Sequence, residues 1–394
     1  MNSNDISGRR IVAAMAMAGI LMAGCGGRES TATVPGAVMA PSAADIANCE
    51  KRVNDTPAKL EPCVASPSLW QRLSQFQTIA NKNPGPLGHP SRQAGTPGYK
   101  ASVDYVAGLM QSAGYKVKVQ TYKYNLFADA GVTPRAFFGQ ARPKYYPYKG
   151  TDYNVIADSP YGDPHRTVVI EGHLDSFWGA GMLDNASGST TILQVALALA
   201  KTPTHNHLRF IWFGGEELGL LGSRYYTQKL SASELGDLLF DVDVDVSASP
   251  NFDILIADTS YGLDASRFPA SVIPASKVGS DAFVRYFDSI GVTAKPYWYG
   301  NTGTDSNSFA LVGIPNTGIL TMQDCCKQPW EVQLWGGYVG DYEGVVPGVS
   351  GACADRPLRW CDNLSNNNPF VFKMVSKAVG NVTLELANNA NIHR

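Results

Sequence analysis

Hydrophobic and polar positions change their period several times along this chain, and each change marks an element. From Pro67 to Ala80 the run SLWQRLSQFQTIA repeats apolar residues at helical spacing. Pro97 then opens a second helix, whose apolar stripe includes Val103, Val106 and Met110 and which Gly114 ends. An alternating strand is predicted from Tyr115 to Tyr124. The aromatic, proline-rich stretch from Asn125 to Gly150 has no period; it reads as loop and hairpin, too short for an inserted domain. Beyond Tyr153, short β-rich runs alternate with helical ones. Strands are predicted at Tyr153–Ala157, Thr167–Glu171, Leu208–Phe213, Leu238–Val244, Ile254–Ala257 and Asn316–Leu320. Helices are predicted at Ser187–Lys201, Gly222–Leu230, Asp281–Ile290 and Pro369 to about Ala390. Strands spaced by helical segments argue for an α/β sheet covered on both faces. No internal repeat or coiled coil appears.

The first residues follow a different logic. Arg9 and Arg10 precede an apolar run from Ile11 to Met22, followed by Ala23-Gly24-Cys25. A charged start, a run too short to span a bilayer comfortably and a small-residue cleavage site make a targeting segment. The pattern resembles a bacterial lipoprotein lipobox, with Met22 where leucine is commoner, and implies that Cys25 carries the lipid that tethers the chain to a membrane. The alternative is an ordinary secretory signal cut nearby. Either reading expects export, the lipidated one to a membrane facing the periplasm or cell exterior. The expected organisation is a signal peptide over 1–24, a flexible tether over 25–48, and one α/β domain over 49–394.

Composition adds limits. Of 394 residues, 44% are hydrophobic and 17% charged, which suits a globular protein with ample core. A formal net charge of −2, with basic residues scattered, gives no reason to expect nucleic acid as a partner. Beyond Cys25 lie Cys49, Cys63, Cys325, Cys326, Cys353 and Cys361. In an exported chain an even number suggests disulfides; Cys49–Cys63 and Cys353–Cys361 are expected as local loops, with a strained vicinal Cys325–Cys326 as a third.

Candidate chemistry gathers just after the predicted strands, where α/β sheets bind ligands. His173 and Asp175 follow the strand ending at Glu171, and Glu216 and Glu217 follow the strand ending at Phe213. Asp245 closes the run FDVDVDV, and Asp184 sits in the glycine-rich turn GAGMLDNASG. Taken singly, each has an ordinary reading. A histidine near a strand end is commonly structural, a Glu-Glu pair is commonly a solvated helix start, and Asp184-Asn185 can be a turn or helix cap, with Ser187 as a second capping candidate. In FDVDVDV the three aspartates share one sheet face; Asp241 and Asp243 are expected at the rim or in solvent, leaving Asp245 as the better ligand. Asp175 is placed to orient the His173 imidazole. His205 and His207 are expected at the surface, at the sheet end away from the site, and His89 and His165 in loops.

Together, GHLDS, GxxxDNASG, FGGEELGLLGS and the Asp245–Asn251 segment resemble the co-catalytic two-zinc exopeptidases, family twenty-eight of the metallopeptidases. That family includes bacterial leucyl aminopeptidases, glutamate carboxypeptidase II and glutaminyl cyclase. RQAGTPGYKASVDYVAGLMQSAGY and NSFALVGIP fit it too. The resemblance implies a three-layer domain with a central mixed, mostly parallel sheet. It implies Zn2+ held by His173 and Asp245, bridged by Asp184 to a second ion on Glu217, with Glu216 as general acid/base and a peptide as substrate. The family's second site is normally closed by a histidine in a C-terminal disulfide loop. The corresponding stretch here, Cys353 to Leu364, contains none. Three readings follow: Asp355 replaces the imidazole, as zinc chemistry permits; or a single zinc sits on His173, Asp184 and Asp245; or the pocket only binds a ligand. The expected function is an exported metallo-aminopeptidase, with a catalytically impaired binding lipoprotein as the alternative.

Overall fold

The computed structural model describes residues 48–126, 149–260, 267–297, 303–323, 326–343 and 361–393, all within the compact unit Pro41–Arg394. The expected signal segment, nearly all of the tether and most of the loop expected over 125–150 fall outside the described residues. So do Asp355, Cys325 and Cys353.

Eight strands form one sheet: β1 (Lys116–Asn125), β2 (Lys149–Asp158), β3 (Asp163–His173), β4 (Asn206–Phe213), β5 (Leu238–Val244), β6 (Leu255–Ala257), β7 (Lys295–Tyr297) and β8 (Asn316–Leu320). Their order is β1-β2-β4-β3-β5-β8-β6-β7. The inner strands β4, β3, β5 and β8 run parallel, and β6 with β7; the pairs β1–β2, β2–β4 and β6–β8 are antiparallel. The sheet is therefore mixed, with a parallel centre. Its central strands read as apolar runs because helices cover both faces.

On one face pack α1 (Pro57–Val64), α2 (Pro67–Lys82), α3 (Pro97–Ala113), α4 (Ala186–Leu199), α7 (Val272–Ser289) and α10 (Pro369–Asn388); α5 (Leu221–Lys229), α6 (Ala232–Asp237) and α8 (Ser306–Leu311) cover the other. A further short helix, α9 (Pro329–Trp335), follows β8. Every residue of α4 is buried, as its Ala/Leu sequence requires of a helix wedged between the sheet and other helices. The predicted stripe Val103, Val106 and Met110 faces the core, and Gly114 ends α3 in the left-handed region at φ 99°. Alternation sorts the strand side chains: Val168, Ile170, Phe210, Trp212, Val242 and Val244 enter the large core, whereas Val169, Ile211 and Phe213 join Phe309 and Tyr226 beneath the thinner layer. The Cys49–Cys63 disulfide forms as expected and ties the first described residues to α1. Cys326 and Cys361 are also disulfide-bonded, but the partners expected for them, Cys325 and Cys353, lie outside the described residues.

Candidate metal centre

Topology concentrates the polar groups at one sheet edge. After β3 the chain crosses through α4 to β4 on one side; after β4 it crosses through α5 and α6 to β5 on the other. The two crossovers leave a crevice at the carboxyl ends of β3, β4 and β5, the usual ligand position in a parallel sheet. His173 ends β3, Glu216 and Glu217 lie in the turn after β4, and Asp245 follows β5 directly.

Asn185 rivets the remaining group, Asp184, to this edge. Its carboxamide oxygen accepts the N–H of Gly188 at 2.9 Å, capping α4, and the N–H of Val246 at 3.0 Å; its amide donates to the Val244 carbonyl at 3.0 Å. The residues flanking Asp245 are thus bonded to the residue after Asp184. Gly172 and Gly188 permit the approach, since an added Cβ would meet the Val244 carbonyl oxygen at 2.6 and 2.2 Å. Ser187, the second capping candidate, instead donates to the Leu183 carbonyl and accepts the Ser247 N–H.

The result is a tight constellation. His173 Nε2 lies 3.1 Å from Asp184 Oδ1 and 3.3 Å from Asp245 Oδ1, with Glu216 Oε2 at 4.0 Å. Ligand atoms of His173, Asp184 and Asp245 all lie within 4.8 Å of one another, and all three residues are buried. His173 Nδ1 faces the Asp175 carbonyl oxygen at 3.2 Å and its carboxylate at 3.5 Å. The Asp175 carboxylate also accepts the Glu216 N–H at 3.2 Å. Asp175 therefore orients both the imidazole and the glutamate turn, more through its backbone than its side chain in the first case. Glu217 follows Glu216 in the turn but is not one of the three converging residues.

Burial works against charge on His173, yet Glu216 and Asp245, with hydrogen bonds to Asp175 and Asp184, outweigh it and raise the imidazole well above its ordinary pKa. Glu216 is raised chiefly by burial, with His173 opposing. An imidazole and two carboxylates converging in a buried crevice are a nitrogen–oxygen donor set suited to Zn2+, because the groups that favour a proton on Nε2 equally favour a metal cation there.

Three sequence expectations need correction. Asp241 and Asp243 are fully buried, not rim residues. Their alternation with valine does put them on one face, but that face is covered: the α8 N–H of Ser306 donates to Asp243 at 3.2 Å. Glu171 and Asp305 are buried with them, and burial raises all four carboxyls, Asp243 to about 7. His207 is also buried rather than superficial, 3.0 Å from Asp158 and 3.1 Å from the Tyr161 carbonyl. His205 is exposed as expected, whereas His165, expected in a loop, lies exposed within β3. The sequence reading missed Asn185 as the rivet and Asp362, whose carboxylate accepts the N–H groups of Leu183 at 2.7 Å and Asp184 at 3.1 Å. The Asp-Asn-Leu that follows Cys361 was the available signal.

Known proteins resemble this chain in sequence and in fold. A sequence profile of peptidase family M28 matches residues 154–375. The chain is 33% identical over 351 residues to leupeptin-inactivating enzyme 1 of Streptomyces exfoliatus, covering 88% of this chain and 65% of that one. It is 34% identical over 192 residues to leucine aminopeptidase 2 of Trichophyton rubrum, covering 48% of this chain and 38% of that one. The chain thus spans less than two thirds of either relative's length. In fold it is similar to the aminopeptidase from Aneurinibacillus sp. strain AM-1, with a TM-score of 0.59 at 16% identity, covering 86% of this chain and 97% of that one.

Proposed function

The chain belongs to peptidase family M28, and on that premise we propose that it is a zinc-dependent aminopeptidase in which His173, Asp184 and Asp245 hold metal and Glu216 is the general acid/base. The observation that carries the reading is the convergence of His173, Asp184 and Asp245 from three separate segments beside Glu216. Zinc, when bound, lowers the pKa of water toward neutrality and polarises a substrate carbonyl. The protein's own groups do the rest. Glu216, raised by burial, takes the proton of the attacking water and delivers it to the leaving amine. Asp175 keeps the His173 ring and the Glu216 turn in register. Aminopeptidase action is favoured over other peptidase chemistry because the Trichophyton rubrum relative is by name a leucine aminopeptidase, and no inserted domain is evident in the sequence.

A second zinc belongs to the same proposal: Glu217 and Asp184 would help to hold it, with Asp355 in place of the family's histidine. Asp355→Ala should then lose about one zinc per chain; an unchanged stoichiometry would remove that role. The targeting segment supports an exported, lipid-anchored protein, with Cys25 as the lipidated residue and 25–48 as the tether. Cys25→Ser should release it into the soluble fraction, and persistent membrane association would refute the lipidation.

The central test combines metal analysis with hydrolysis of aminoacyl chromogenic amides. Chelator-sensitive hydrolysis and bound zinc are expected. A protein that takes up no zinc and stays inactive after zinc addition would overturn the proposal in favour of a ligand-binding lipoprotein.

A further inference from the structure

The loop 174–184, which carries the chain from His173 to Asp184, is held at both ends by residues outside it. At one end lies Arg92, fully buried and stacked over the Phe76 ring at 5.1 Å. Its guanidinium donates to three backbone carbonyls of the loop: Leu174 at 2.6 Å, Ala180 at 2.7 Å and Gly181 at 2.5 Å. The Arg92 backbone adds to the grip, donating to the Gly179 carbonyl at 3.2 Å and accepting the Ser176 N–H at 3.3 Å. At the other end Asp362 accepts the N–H groups of Leu183 and Asp184, while its carbonyl accepts the Met182 N–H at 3.4 Å. The loop between is folded tightly: Gly181 has φ 58°, and an added Cβ would meet Ser176 Cβ at 2.2 Å and the Asp184 carbonyl oxygen at 2.4 Å.

We propose that Arg92 and Asp362 are paired positioning residues for the metal centre, clamping loop 174–184 so that the His173 imidazole and the Asp184 carboxylate arrive at one point. This rests on the zinc reading of that centre and extends it to residues that touch neither metal nor substrate. The chemistry of the two ends is complementary. A guanidinium offers a rigid planar fork of donors that can satisfy three carbonyls at once, and a carboxylate offers the acceptors that two adjacent N–H groups need. Burial lowers the Arg92 pKa to about 10, with Asp362, Asp175 and Asp184 opposing, so the guanidinium stays charged at neutral pH. It is thereby a fixed positive charge behind the carboxylates of the site. Lysine, a point charge with no fork, cannot hold three carbonyls in this geometry.

The test uses Arg92→Lys and Asp362→Asn in the full chain, checked for folding by circular dichroism. Zinc affinity is measured by competition with a chromogenic chelator, and the visible spectrum is recorded after Co2+ substitution. Loss of such supporting contacts typically weakens metal binding roughly 10- to 100-fold. That loss is expected in each folded variant, together with a changed Co2+ spectrum, which a purely structural role would leave alone. The double variant should lose less than the product of the two single effects, since both act on one loop. Should Arg92→Lys fail to fold, Asp362→Asn carries the same test. Folded variants with wild-type zinc affinity and spectrum would overturn the clamp while leaving the zinc reading intact. A wild-type protein that binds neither zinc nor cobalt would instead overturn the reading of the centre and the clamp with it.

Discussion

At the scale of single residues, the centre depends on groups of two kinds: those that meet at the crevice and those that hold them there. Glu216 is of the first kind. Glu216→Gln keeps the shape of the side chain but removes its capacity to accept a proton, so turnover should fall roughly 10²- to 10⁴-fold while bound zinc is retained. Steady-state kinetics with metal analysis on the same sample checks both halves. Asn185 is of the second kind. Asn185→Ala strands the buried N–H groups of Gly188 and Val246, and leaving buried donors unpaired costs about 1–3 kcal/mol each. Urea denaturation of the variant should show a loss of about 3 kcal/mol; a loss below about 1 kcal/mol would mean that the rivet is not needed for stability.

At the scale of elements, the close approach of β5 to α4 and the staple at α1 are the features most open to test. The Cβ of Gly188→Ala would lie 2.2 Å from the Val244 carbonyl oxygen, a backbone atom that cannot swing aside. Overpacking of this sort costs about 1–3 kcal/mol, and the displaced end of β5 carries Asp245. Chemical denaturation and zinc stoichiometry should both report the change. The Cys49–Cys63 bridge closes a sequence separation of 14, for which constraint of the unfolded chain predicts about 3 kcal/mol. The doubly serine-substituted protein should melt several degrees lower under conditions that leave the wild-type bridge oxidised. Elements also differ in how well the sequence announces them. The helices at Pro67 and Pro97 and the strands Leu238–Val244 and Asn316–Leu320 were legible because proline, glycine and sustained apolar periods bound them. α7 begins nine residues before its expected start, at Val272 rather than Asp281, because Pro274 and the Gly279-Ser280 pair interrupt the helical pattern of its first turns. The short β7, α6, α8 and α9 are too brief for a period to be read.

At the scale of the whole molecule, the edge of the sheet opposite the metal centre carries its own charge cluster. There Asp158 accepts from Arg209 at 2.7 Å and lies 3.0 Å from His207. Burial opposes charge on Asp158, but its His207 and Arg209 partners prevail and lower its pKa below the ordinary value. A carboxyl depressed on folding contributes stability above its unfolded pKa of about 3.9 and loses it as pH falls through the lower folded value. Asp158→Asn should therefore destabilise the protein at neutral pH, and the difference from wild type should shrink as pH drops below about 4. Thermal melts across that range measure it; a gap that stays constant in acid would exclude the linkage. The sequence by itself determined the α/β class, the order of the longer elements and the residue types of the centre, because each of these is written in local periods and in glycine-rich turns beside short polar motifs. Only the tertiary structure decided that His173, Asp184 and Asp245 meet, that the face bearing Asp241 and Asp243 is covered, and that Arg92 and Asp362 grip one loop from two distant parts of the chain. Alternation along a strand shows which side chains share a face, but not what packs against that face. Convergence depends on where the crossovers carry each strand end and on hydrogen bonds between segments far apart in sequence, which no local pattern encodes.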